Sequence, residues 1–170
     1  TFYVTSPQGG ELVMMMMMMM MMMNAGLPVR HVLNWCKNSP TFSMGRLDYD
    51  YQHEPIFYTW KKNHKFYGKG EFKTSTWPIN KPRECKLHPT MKPVELIVNA
   101  VLNSTEPGMI VGDPFLGSGS TLVACEKTGR VCYGMELDTH YCDVIVQRYI
   151  DHVGSNADCY LLRGDKKTAI

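Results

Sequence analysis

The six cysteines of this 170-residue chain, at positions 36, 85, 125, 132, 142 and 159, include no C-x-x-C pair and no zinc-ligand spacing. That excludes a zinc ribbon and a thioredoxin-type redox centre. No secretory leader is recognisable either, so reduced thiols without disulfides are expected, and with them a cytoplasmic location. No Gly-Lys-Ser/Thr triplet occurs, which removes a phosphate-cradling P-loop. The longest apolar run, Leu12 to Met23, has 12 residues, short of the ~18 that a membrane span needs. Internal repeats are lacking, and the length suits about one domain.

Ten of the 14 methionines form the single run Met14 to Met23. Such a run has no periodicity, and its unbranched side chains specify no packed face. We read it as a stand-in for undetermined residues rather than as a metal-binding tract, and expect no metal site. Two aspartates around Tyr49, at Asp48 and Asp50, are surface charge on the same grounds, because further ligands are missing. His53-Glu54 is not a zinc motif, since Phe57 occupies the place of the second histidine in H-E-x-x-H; a pairing of Glu54 with Arg46 is the simpler expectation. The sequon Asn103-Ser104-Thr105 and the tripeptide Arg163-Gly164-Asp165 are short patterns that arise by chance.

What the chain does have is Gly112-Asp113-Pro114-Phe115-Leu116-Gly117-Ser118-Gly119-Ser120-Thr121. An apolar strand candidate, Met109 to Val111, precedes it. A helical segment, Leu122 to Lys127, follows and is closed by Gly129. Strand, glycine loop and helix in this order make a nucleotide-type cofactor site, in which side-chain-free Gly117 and Gly119 let backbone amides approach a ligand at a helix N-terminus. Asp113 falls at the carboxyl end of the strand, where open α/β sheets bind ligands. A second strand candidate, Val131 to Met135, ends in Glu136 and Asp138. Glu136 lies 23 positions after Asp113, close to the ~20 at which an acid reaches a ribose hydroxyl. A dehydrogenase fingerprint would need glycine at position 122, which is Leu122.

Strand-like runs occur at Phe2 to Thr5, Val29 to Cys36 and Pro55 to Trp60. Pro93 opens a helix with an apolar stripe of Val94, Ile97, Val98, Val101 and Leu102. Asp138 or Thr139 caps another, whose stripe of Val144, Ile145, Ile150 and Val153 ends at Gly154. The tail beyond Gly154 carries no recognisable motif.

Charge is unevenly spread. Residues 61 to 92 hold nine Lys/Arg against two acidic residues, whereas the remainder holds nine against 14. Phe66, Tyr67, Phe72 and Trp77 interleave with these cations, and Tyr67-Gly68-Lys69-Gly70-Glu71 is expected to form a glycine hairpin turn. On composition alone the segment is a solvated lysine-rich loop.

Three linked stretches change that balance: His88-Pro89-Thr90-Met91-Lys92-Pro93-Val94-Glu95-Leu96, the loop DPFLGSGST, and Tyr133-Gly134-Met135-Glu136-Leu137-Asp138. Together they resemble the cofactor-side motifs of the S-adenosylmethionine-dependent DNA amino-methyltransferases, in the permuted order in which the catalytic half comes first. Gly45 to Tyr49 and His53 to Tyr58 are similar to the end of the catalytic half in phage-type members. The likeness covers roughly residues 29 to 154.

The resemblance implies an α/β, Rossmann-like methyltransferase sheet with helices on both faces. It implies S-adenosylmethionine as cofactor, held by His88, Thr90, Lys92, Asp113, Phe115, Gly117, Gly119, Ser120, Thr121, Glu136 and Asp138. Thr90 and Lys92 would lie near the methionine end. It implies double-stranded DNA as partner, with Lys61, Lys62, Lys65, Lys69 and Lys73 on phosphates, a possible cognate restriction nuclease, and a bacterial or phage origin. Residues 1–170 then form one domain, with 61–87 a basic target-recognition insert and 88–154 the cofactor half. The family's catalytic tetrapeptide, Asp/Asn/Ser-Pro-Pro-aromatic, does not occur in the chain. In the permuted order it is expected upstream of Thr1, leaving the domain incomplete at its N-terminus. The alternatives are a non-catalytic DNA-binding subunit that keeps the cofactor fold and, at more distance, a dehydrogenase.

Overall fold

The computed structural model describes residues 1–6, 12–40, 48–81 and 91–170. The chain divides into two compact units, Thr1–Arg83 with Val98–Glu106, and Glu84–Ile97 with Pro107–Ile170.

In the first unit, β1 (Phe2–Thr5), β2 (His31–Cys36), β3 (His53–Thr59) and β4 (Thr76–Pro78) form a sheet in the order β1-β3-β2-β4. β3 runs antiparallel to both neighbours, and β4 joins β2 in parallel. β3 is thus hydrogen-bonded along both edges, and four of its consecutive residues, Ile56 to Thr59, are buried. A central strand covered on both faces loses the alternation of an edge strand and becomes continuously apolar. Aromatic pairs fix the register: Tyr3 faces Tyr58, with ring centroids 4.9 Å apart, and Trp35 faces Trp77. Beyond the end of β2, Lys37 and Glu54 form a 2.7 Å ion pair with side chains only 2% and 15% exposed. The expected partner Arg46 lies outside the described residues.

Helix α1 (Leu12–Asn24) contains the methionine run and buries only Met22, as a segment without a specified face would. α2 (Val94–Ser104) starts directly after Pro93. Its expected apolar stripe is only partly the buried one. Leu96 and Val101 are buried, but so are Asn99 and Asn103, while Val94, Ile97, Val98 and Leu102 are half-exposed. The two asparagines face the basic segment. The Asn99 amide exchanges hydrogen bonds with the backbone of Phe72 (2.8 and 3.2 Å), and Asn103 accepts from Gly70 N (2.9 Å) and donates to Phe72 O (2.9 Å). Residues 67–71 therefore form no β-hairpin. Their backbone is satisfied by α2 instead of by a facing strand, so the glycines serve close approach. Gly70 is buried, and a Cβ there would meet the Asn99 side-chain oxygen at 2.6 Å.

The second unit contains a strand–helix–strand connection: β5 (Ile110–Asp113), α3 (Ser120–Thr128) and β6 (Val131–Gly134), with β5 and β6 parallel. Parallel neighbours require such a crossover. α4 (Thr139–Val153) follows, capped by Asp138, whose carboxylate accepts from His140 N, and it ends at left-handed Gly154. The tail, unreadable in sequence, forms a hairpin of β7 (Tyr160–Arg163) and β8 (Lys166–Ala169) turning at Gly164, φ 57°. Among the described residues, β1 and β5 are each the outer strand of their sheet, with one edge unpaired. No described helix is long and apolar enough to cross a membrane.

Candidate cofactor site

The site lies in the second unit, at the carboxyl ends of β5 and β6. Asp113, the last residue of β5, accepts a hydrogen bond from Phe115 N (3.0 Å) and one from the Thr121 hydroxyl (2.6 Å). Glu136 follows β6 and accepts three backbone amides, from Gly117 at 2.7 Å and from Leu137 and Asp138 at 2.8 and 3.0 Å. Each carboxylate can accept about four hydrogen bonds. Asp113 thus keeps capacity for a ligand, and Glu136 keeps less than its acidic character alone suggested. Glu136 also joins the two halves of the site, because its bond to Gly117 ties the end of β6 to the glycine loop.

Gly117 and Gly119 adopt φ of 55° and 80°, the left-handed region that side-chain-bearing residues avoid. Gly119 is the N-cap of α3 and supplies no side-chain cap, so first-turn amides remain for water or a ligand. The loop is held from below. Arg148 of α4 donates to Ser118 O at 2.9 Å and to the Ser118 and Ser120 hydroxyls at 3.2 Å. Ser120 in turn donates to Lys92 O at 2.7 Å, which brings the start of α2 to the loop. Ile145 packs 3.3 Å from the point where a Cβ on Gly119 would stand.

The residues expected to hold the cofactor therefore divide in two. Asp113, Gly117, Gly119, Glu136 and Asp138 surround the loop, whereas Ser120 and Thr121 are buried and spend their hydroxyls on Lys92 and Asp113. Phe115 and Leu137 are 87% and 98% exposed. Large apolar side chains so placed beside two carboxylates suit the faces of a heterocycle. Lys92 contributes its backbone carbonyl to the loop; His88 and Thr90 lie outside the described residues. Arg148 was not legible in sequence, because an arginine late in an amphipathic helix carries no motif.

Side-chain-free backbone, an uncapped helix start, two strand-end carboxylates and flanking apolar surface fit an adenosine-type cofactor bearing an amino acid end. Comparison with known proteins agrees. The pattern of the DNA methylase family, N6/N4 type, matches residues 4–147, and the chain belongs to that family. S-adenosylmethionine is the cofactor of this family. The type II methyltransferase M.Cfr9I of Citrobacter freundii is 34% identical over 114 residues, covering 66% of this chain and 38% of that protein. M.BglII of Bacillus subtilis is 34% identical over 105 residues, covering 55% and 29%. The chain therefore spans well under half the length of these relatives. Among solved structures, the M1.HpyAVI–SAM complex is 25% identical, with a TM-score of 0.71, covering 86% of this chain and 72% of that one. The fold is accordingly α/β and of the Rossmann-like methyltransferase kind.

The five lysines expected on DNA, Lys61, Lys62, Lys65, Lys69 and Lys73, are all exposed. They are not equivalent. Lys69 lies 3.6 Å from Glu106, and the Lys65 ammonium sits 4.8 Å over the Tyr67 ring.

Proposed function

We propose that this chain binds S-adenosylmethionine in the glycine loop and forms part of an enzyme that methylates the exocyclic amino group of a DNA base, adenine in the first instance. The observation that carries the reading is the convergence of Asp113, Glu136 and two left-handed glycines on one loop at the ends of parallel β5 and β6. Asp113 has acceptor capacity for an amino group, and Glu136 stands where a ribose hydroxyl would be met. The bound cofactor supplies an electrophilic methyl group. The chain's own contribution is to orient it, through fixed backbone donors and the apolar faces of Phe115 and Leu137.

An exocyclic amine is a weak nucleophile because its lone pair is delocalised into the ring. A site must accept its hydrogens and align it with the methyl group. That role falls to the tetrapeptide expected upstream of Thr1, and the unpaired edges of β1 and β5 are each able to accept a further strand. Lys61, Lys62, Lys65, Lys69 and Lys73 are the proposed phosphate contacts, which position DNA without reading sequence.

The test has two parts. Calorimetry should show that the chain binds S-adenosylmethionine and that Gly117→Val abolishes binding; retained affinity in that variant would remove the loop as the cofactor site. Labelled methyl transfer should then appear in adenine of mixed-sequence duplex DNA with a version extended upstream. Label in cytosine would reassign the base, and no transfer despite cofactor binding would favour the non-catalytic subunit.

A further inference from the structure

Cys125 on α3 and Cys132 on β6 take no part in the cofactor reading, yet they meet next to the site. Both are free thiols. Along β6, Val131 and Tyr133 are exposed and Cys132 between them is half-buried, so its side chain points to the opposite face of the strand. Cys125 is 1% exposed. The two side chains share a hydrogen bond, in which the Cys125 thiol donates to the Cys132 sulfur. Only the end of α3 and its turn separate them in the chain, and that turn is closed by Arg130 N donating to Cys125 O at 2.9 Å.

The pair is chemically unequal. The hydrogen bond from Cys125 favours the Cys132 thiolate and lowers its pKa, whereas the same bond, reinforced by burial, pushes the Cys125 thiol up. Cys132 is also the more accessible of the two. A thiolate that is partly exposed attacks oxidants first, and a second thiol already in contact then resolves the product.

Both cysteines are linked to the glycine loop. Thr121, four positions before Cys125, lies on the same face of α3 and donates to Asp113 at 2.6 Å. Cys132 pairs with Val111 on β5, two positions before Asp113. The Asp113 charge reaches both thiols and opposes their ionisation. A disulfide would shorten the sulfur separation from hydrogen-bond contact to ~2.05 Å, drawing α3 toward β6 and displacing Thr121 from Asp113.

We propose that Cys125 and Cys132 form a reversible disulfide, with hydrogen peroxide as oxidant, and that this bond lowers the affinity of the glycine loop for S-adenosylmethionine. The effect on S-adenosylmethionine rests on the proposed cofactor site, whereas disulfide formation does not depend on it. The Cys132 sulfur, having released its proton, attacks one peroxide oxygen; the S–O bond forms, the O–O bond breaks, and the departing hydroxide takes up the released proton to leave as water. The Cys125 sulfur then displaces the sulfenic hydroxyl, which leaves with the Cys125 proton as a second water. The thiols give up two electrons in all, and the peroxide accepts them.

The test uses the whole chain. After peroxide treatment, peptide mapping by mass spectrometry should show Cys125 joined to Cys132 with loss of two hydrogens, and dithiothreitol should reverse it. Calorimetry should show S-adenosylmethionine bound about fivefold more weakly by the oxidised chain, the scale of one lost hydrogen bond, with affinity restored on reduction. Amide exchange at residues 117–121 should quicken on oxidation. Cys132→Ser should bind the cofactor as the untreated parent does and ignore peroxide. Cys142→Ser, which removes the exposed thiol near Glu136, should respond as the parent does; a response lost in that variant instead overturns the proposal. So does the absence of the crosslink, or a crosslink that leaves amide exchange at 117–121 unchanged. If the reduced chain binds no S-adenosylmethionine, the cofactor reading fails by itself, and amide exchange still decides whether the disulfide reaches the loop.

Discussion

Glu136 and the Lys37–Glu54 pair illustrate how one carboxylate can be functional and another structural. Glu136 holds three backbone amides, so its removal acts on the loop as well as on any ribose. Glu136→Ala should therefore lower S-adenosylmethionine affinity by calorimetry and also lower the unfolding midpoint in urea, each charge-assisted bond contributing ~1.5–3 kcal/mol at most. A variant that lost affinity at unchanged stability would confine Glu136 to ligand contact. Glu54 has no such ambiguity. With Lys37 2% exposed at its side chain, Glu54→Ala leaves a buried ammonium without its counter-ion, a change that typically costs ~3–5 kcal/mol. The double variant Lys37→Met with Glu54→Leu should recover most of that loss in the same urea titration.

Tyr3 adds a pH dependence. Burial pushes its pKa up from 10.0 to about 12, outweighing the hydrogen bond with Ser104. A raised folded-state value means that the neutral phenol is favoured on folding. Its contribution is complete below pH 10 and is lost as pH rises through about 12. The gap corresponds to roughly 2–3 kcal/mol. Urea unfolding at pH 9 and pH 11.5 should show a smaller loss for Tyr3→Phe than for the parent chain, and equal losses would remove Tyr3 as the source.

At the scale of elements, the clearest device is the clamp between α2 and the basic segment. Asn99 and Asn103 replace the pairing strand that Tyr67 to Glu71 lacks, and both donate to Phe72 O. Asn99→Ala or Asn103→Ala should each cost ~1–3 kcal/mol, less than additively in combination, because they share that acceptor. Limited proteolysis between residues 61 and 75 should accelerate in step; unchanged cleavage would show that the segment stays ordered without α2. The sequence made β1, β2, β3, α3 and α4 legible because apolar period, cap and terminal glycine agree there. It misled at α2, where an apolar stripe was expected to face the core and two asparagines are buried beside Leu96 and Val101. A side chain that hydrogen-bonds distant backbone has no local signature, which also hid Arg148 beneath the glycine loop. The hairpin of β7 and β8 escaped for a different reason: its strand residues are all exposed and show no alternation of burial.

For the whole molecule, charge is the property that sequence conveyed best and local structure refines. The basic segment stands out in composition, yet its cations are unequal once folded. Lys69 is partly neutralised by Glu106 at 3.6 Å. Lys61, Lys62, Lys65 and Lys73 are exposed, and none forms an ion pair with an acid among the described residues. Each such lysine that meets a phosphate displaces counterions and steepens the dependence of log affinity on log salt by about 0.9. Replacing Lys61, Lys62, Lys65 and Lys73 by glutamine should therefore flatten that slope on duplex DNA by up to roughly three to four units, while Lys69→Gln alone should change it least. Because phosphate contacts carry no sequence information, the loss should be uniform across DNA sequences, and S-adenosylmethionine affinity should not move. An unaltered slope in the quadruple variant would return the segment to a solvated face. A loss confined to one sequence would mean that these lysines reach base edges, and that the segment reads DNA as well as holding it.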